Sequence, residues 1–156
     1  MTDERIGDAL FPALLALPPG AGVVFRHYRL PAGERHRLFL RVRRLARALR
    51  LRFSAARMTG TIGHGGRIAL THPAHDRREA IAGVRARATW LFVSPLYATR
   101  SHPGVAGLGL RKALPITRGL PVATVALGGM TASRWLRLRG YRFQDWAAID
   151  GLTSAR

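Results

Sequence analysis

Four short clusters in this chain combine residue types that could hold an anion. Arg26-His27-Tyr28 closes the apolar run Val23-Val24-Phe25. Thr99-Arg100-Ser101-His102 offers two hydroxyls, a guanidinium and an imidazole, a set suited to pyrophosphate. Gly128-Gly129-Met130-Thr131 follows a second apolar run, and Asp150-Gly151 follows a third that ends at Ile149. A strand-end arginine can grip phosphate through two parallel N–H donors, or it can serve in an ordinary surface salt bridge. Glycine lets backbone approach a ligand closely. With Thr131 capping the next helix, free N–H groups would face an anion at that turn. A tight turn without a ligand would use the same two glycines.

Metal and nucleophile chemistry have less support. His64, His72 and His75 lie close in sequence, but their spacing matches no standard ligand pattern. Ser94, His75 and Asp150 could be drawn as a triad, yet a triad is defined by geometry and no spacing supports one here. There is no cysteine, which excludes a disulfide framework, a thiolate metal site and a Cys nucleophile.

The elements that must position these clusters can be read from periodicity. Ile6, Leu10, Leu14 and Leu17 fit a helix over 4–17, stopped by Pro18-Pro19-Gly20. Residues 22–30 read as a strand buried on both faces. Residues 31–50 are helical, with Leu38, Val42, Leu45 and Leu49 on one face and arginines on the other. Further strands are expected over 51–56, 68–71, 89–94, 121–127 and 145–149. The glycine-rich stretch 58–67 is expected to hold a turn around a very short strand. Helices are expected over 77–87, capped by Asp76, over 110–118, and after Thr131 or Ser133. Alternating strands and helices predict parallel strands joined by right-handed crossovers. A barrel and a doubly wound sheet both satisfy the pattern, and both place a site at the carboxyl ends of the strands.

Length and composition narrow the class. The chain has 156 residues, which predicts one domain, with 1–21 as an N-terminal helix and lead-in. Hydrophobic residues make up 47%, enough for a packed core. No run of about 20 apolar residues is present, so no membrane span is expected. Asp3, Glu4 and Asp8 stand where a secretory signal would carry positive charge, so the cytoplasm is the expected compartment. The net charge is +18, but Lys112 is the only lysine. Arginine-only basicity beside abundant alanine, glycine, leucine and proline is the pattern of a GC-rich genome. Nucleic acid is therefore not the expected partner, and a polyanion-binding role rests on the charge alone.

Taken in order, the strand-end motifs resemble one family. Residues Trp90 to His102 are similar to the thiamine-phosphate synthase segment that ends in Gly-Pro and a Thr-x-Thr-Lys loop. Leu120 to Met130 resembles that family's "Pro-Val-x-Ala-Ile-Gly-Gly-Ile" strand, and Val24 to Tyr28 its "Gln-Leu-Arg-Glu-Lys" strand. His75, Asp76 and Glu79 resemble its "Ser-Val-His-Ser, Glu-Ala" helix start. The family includes a related thiazole tautomerase.

The resemblance implies a (β/α)8 barrel of the TIM type. It implies joining of hydroxymethylpyrimidine pyrophosphate to thiazole phosphate, with Mg2+ helping pyrophosphate to leave. It places catalytic roles at Arg26, Thr99, Ser101 and His102. It places contacts to phosphorylated substrates at Arg26, Tyr28, Thr99, Gly128, Gly129, Ile149 and Asp150. Several positions depart from the family pattern. Tyr28 and His102 stand for lysines, Ser101 for threonine, Pro73 and Asp150 for serines, and Ser54-Ala55 for Asn-Asp. No aspartate follows His64, so the carboxylates expected to hold Mg2+ are missing and no metal ligand is assigned. The alternative implied is a catalytically degenerate phosphate binder of the same fold. The usual barrel needs about 250 residues. An incomplete or locally rearranged barrel of about seven strands is therefore expected. Its open edge would be covered by residues 4–17 or by a second copy of the chain.

Overall fold

The computed structural model describes residues 1–65, 69–100, 104–138 and 140–149. The expected helix over 4–17 forms in two pieces. A 3-10 segment spans Glu4–Ala9, kinked within by Gly7 at φ 53°, and α1 spans Leu10–Leu15. Leu10 and Leu14 are buried against α2 (Ala32–Ala48), whose own buried face is Phe39, Val42 and Ala46. Arginines occupy much of the rest of α2, as its pattern predicts.

Two groups of parallel strands follow. β1 (Gly22–Phe25) pairs with β2 (Arg52–Ala55). β3 (Thr71–Ala74), β4 (Trp90–Val93), β5 (Ala123–Leu127) and β6 (Asp145–Ala147) pair in sequence order. Helices α3 (Arg77–Arg85), α4 (Gly109–Thr117) and α5 (Ala132–Leu138) make the crossovers within the second group. Asp76 caps α3 by accepting from the Glu79 N–H at 2.8 Å, and the Glu79 carboxylate accepts from the His75 N–H at 2.9 Å. Reciprocal bonds of this kind fix a helix start.

The strand expected over 68–71 is displaced. The observed β3 is Thr71–Ala74, which includes Pro73, while Ile68 lies outside the described residues. Proline is tolerated because the pairing on one side of β3 stops at Thr71, whose carbonyl accepts from the Gly65 N–H at 2.7 Å. The Pro73 nitrogen therefore needs no proton.

Short segments cross the two seams between the groups. At one seam the His64 N–H donates to Ala55 O at 3.0 Å, and the Leu70 N–H donates to Gly63 O at 3.0 Å. Residues 62–65 thus stand as a very short strand between β2 and β3. No helix precedes it in 56–65, as the glycine-rich sequence predicts. At the other seam the Thr2 N–H donates to Val24 O at 2.8 Å, and the Met1 nitrogen donates to Ala148 O at 2.8 Å. The ladder is not continuous, so the barrel is incomplete in its pairing. The strands nevertheless curl around one interior, where Val24 of β1 packs with Phe92, Val125 and Leu127 of β4 and β5. Two outer cores lie between the strands and the helices.

Candidate active site

A cavity of about 1110 Å³ opens at the carboxyl ends of the strands. Arg26, Tyr28, Thr99, Gly128, Gly129 and Ile149 all contribute to its wall. Ser101, His102 and Asp150 lie outside the described residues. Arg57, Arg100 and Arg134 also face this cavity, so most of its charge is positive.

One cationic pole forms beyond β1 and β2. The Tyr28 ring has the guanidinium carbon of Arg26 at 5.5 Å from its centroid and that of Arg57 at 5.4 Å. Arg26 Nε donates a long bond to Tyr28 Oη at 3.4 Å. Neither arginine has a carboxylate partner among the described residues. The surface salt bridge, one of two roles open to Arg26 from sequence, is therefore not formed among them. Arg35 holds the frame behind this pole. It donates to His27 O, to Ala56 O at 2.6 Å and to Arg57 O at 3.0 Å. One side chain thereby fixes the loop after β1 to the loop after β2.

The other pole forms beyond β5. Gly128 and Gly129 both have positive φ, at 92° and 60°. The loop after β4, which begins at the cis Ser94–Pro95 bond, lies directly on this turn. The Leu96 N–H donates to Leu127 O at 2.8 Å and the Tyr97 N–H to Gly128 O at 3.0 Å. A Cβ on Gly128 would lie 2.7 Å from Pro95 Cα. The glycines are thus required by the neighbouring loop, whereas the sequence suggested close approach of a ligand. Their own N–H groups donate to no backbone carbonyl among the described residues. Arg134 donates to Gly129 O and lies 4.6 Å from the Tyr97 ring centroid. Thr131, rather than Ser133, starts α5 by accepting from the Arg134 N–H at 3.3 Å.

The floor between the poles is largely apolar, with one buried polar chain. His64 Nδ1 and Thr71 Oγ1 are 2.8 Å apart, and Ser54 Oγ is 3.3 Å from the same hydroxyl. The His64 ring meets Phe92 edge-on at 5.8 Å. Burial, with the nearby Arg26 and His72 charges, pushes the His64 pKa down to about 3. The imidazole is therefore neutral at pH 7. The unfolded chain binds a proton at His64 between pH 6.5 and 3 that the native fold refuses. Stability should fall as pH drops through that window, by up to about 1.4 kcal/mol per pH unit from this residue. Unfolding in urea from pH 7 to pH 4 should show this slope, and His64→Gln should reduce it by about one proton. An unchanged slope in the variant would refute the assignment.

The donor set does not fit a magnesium ion. Magnesium takes oxygen ligands and is usually held by one or two carboxylates plus substrate phosphates. Asp3 is the only carboxylate in the wall among the described residues, and it accepts from Arg5 Nε at 2.6 Å. The three histidines noted in the sequence point to separate partners: His64 to Thr71, His72 to Pro73 O and His75 to Glu79. No group of three metal-ligating side chains occurs among the described residues. No helix among them is long and apolar enough to cross a membrane.

Parallel strands curled around a filled interior, with a cationic cavity at their carboxyl ends, define a protein of the β/α-barrel class. A family model described as thiamine monophosphate synthase matches residues 53–152. The chain belongs to that family. Its fold is similar to that of a thiamine phosphate pyrophosphorylase from Pyrococcus furiosus, with a TM-score of 0.76 at 16% identity over 96% of this chain and 83% of that one. No curated protein matches.

Sequence reasoning missed Arg57, Arg134 and the bracing Arg35. Arg57 sits just past a strand end, which is a usable signal. In a chain with 26 basic residues, however, one more arginine is not conspicuous.

Proposed function

We propose that the cavity binds two phosphorylated thiamine precursors, one at each cationic pole, and joins them. The two-pole arrangement carries this reading. β2 and β5 stand on opposite sides of the mouth, and each pole offers donors without a partner among the described residues.

Hydroxymethylpyrimidine pyrophosphate would place its pyrophosphate against Arg26, Tyr28 and Thr99, with Ser101 and His102 of the same loop completing the set. Its ring would lie over the floor of Phe92 and Leu127. Thiazole phosphate would sit at the Gly128 and Gly129 amides, flanked by Ile149 and Asp150. In the reaction the C–O bond to pyrophosphate breaks and pyrophosphate leaves with the electron pair. The thiazole nitrogen lone pair then forms the new C–N bond, giving thiamine phosphate. The chain's part is to orient both partners and to stabilise the leaving anion.

The scarcity of carboxylates in the wall favours a second reading, in which the protein binds these phosphates without turnover. The joining reaction requires simultaneous occupancy, whereas a binder without turnover requires only affinity for thiazole phosphate or another phosphorylated metabolite. Calorimetry should show thiazole phosphate binding to protein already saturated with inorganic pyrophosphate. Mutual exclusion of the two ligands, or no affinity for thiazole phosphate, would overturn the arrangement.

A further inference from the structure

We infer that Arg26 and Arg57, held around the Tyr28 ring, do the work of a divalent cation, so that the pocket takes a pyrophosphate group in its metal-free form. The inference deepens the proposed function, because it concerns the pyrophosphate pole of the same cavity.

Three observations carry it. First, the guanidiniums of Arg26 and Arg57 lie 5.5 and 5.4 Å from one aromatic ring, with that of Arg35 at 5.9 Å, and neither Arg26 nor Arg57 forms a salt bridge to a carboxylate among the described residues. Like charges placed together in a cavity repel, and a bound polyanion relieves that repulsion. Second, Arg57 is held by its backbone. Its φ is +51°, in the left-handed region that non-glycine residues seldom adopt. Arg50 and Arg87 share this conformation, at φ 54° and 56°, but they follow α2 and α3, where it is an ordinary way to end a helix. Arg57 instead lies in the turn just past β2, at the cavity mouth. Its carbonyl and that of Ala56 are fixed by Arg35. Strain of this kind persists where the surroundings enforce it and is concentrated at ligand sites. Third, among the described residues the wall holds one carboxylate, Asp3, which already accepts from Arg5, while guanidinium forks match phosphate oxygens directly.

Magnesium would then be a competitor, since it occupies the same phosphate oxygens. The test is calorimetry of the full chain with sodium pyrophosphate, in EDTA and in excess magnesium chloride at matched ionic strength. Affinity in EDTA should equal or exceed that in magnesium. Arg57→Ala should weaken binding in EDTA at least about tenfold, and Arg57→Lys should weaken it less. Thermal melts of both variants check that they fold. Binding that requires magnesium, an Arg57→Ala variant that binds like the unsubstituted protein, or no pyrophosphate binding in either buffer would overturn the inference. Thiazole phosphate titrated into the same preparation reports the other pole separately. Its retention would show that the clamp alone had failed.

Discussion

Gly129→Ala should lower stability by at least about 3 kcal/mol and abolish thiazole phosphate binding. Gly129 has φ +60°, where an added Cβ is strained by about 1 kcal/mol or more. That Cβ would also collide with the Ala98 carbonyl oxygen and lie 3.0 Å from Tyr97 Cβ. Backbone cannot swing aside as a side-chain tip can. The loop after β4 would have to lift, which threatens the Leu96 and Tyr97 N–H bonds to Leu127 O and Gly128 O. Each costs about 1 kcal/mol when lost, more where a buried group stays unpaired. The same movement would displace Thr99 from the cavity wall. Gly20→Ala is the control: its φ is +83°, but nothing lies within 4 Å of the added Cβ. It should cost only the backbone strain, about 1 kcal/mol. Urea unfolding of the two variants, with calorimetry on thiazole phosphate, separates collision from strain. Equal losses in both would refute the role given to the β4 loop.

Arg35→Met should cost about 2–4 kcal/mol and weaken pyrophosphate binding, although Arg35 does not line the cavity. The arginine satisfies three carbonyls on two loops, those of His27, Ala56 and Arg57. Methionine keeps much of the bulk and leaves those acceptors unpaired or hydrated. Lysine has three donors but no planar fork, so Arg35→Lys should recover only part of the loss. Arg35 is a positioning residue, acting through Arg57. A purely structural role would lower stability and leave the ligands alone, or weaken both alike. The prediction is selective: pyrophosphate affinity falls, while thiazole phosphate affinity at the far pole is kept. Parallel titrations of the two ligands decide the matter.

Much of this arrangement was legible before any coordinates, for a physical reason. Strands buried on both faces are continuous apolar runs, and strand ends at a barrel mouth are marked by glycine, proline and polar residues. Trp90–Val93 and Ala123–Leu127 accordingly fall within a residue or two of their expected spans. The Asp76 cap also formed as its side chain predicted. β3 was misplaced because Pro73 reads as a strand breaker, and only tertiary pairing shows that its missing N–H has no partner to serve. The bonds of Met1 and Thr2 to Ala148 O and Val24 O use main-chain atoms, so no side-chain pattern announces them. Arg26 was visible because it ends an apolar run. Arg57 and Arg134 were hidden among many arginines, and only the cavity distinguishes them. The Gly128-Gly129 pair was noticed for the right position, but its close contact is with Pro95 and Ala98.

Product formation tests the central claim most directly. Purified protein should be incubated with hydroxymethylpyrimidine pyrophosphate and thiazole phosphate, once in EDTA and once in magnesium buffer, beside a competent member of the family in magnesium. The two-pole reading predicts thiamine phosphate and pyrophosphate in equal amounts. No thiamine phosphate above the protein-free blank in either buffer, while the competent relative turns over in magnesium, would contradict it.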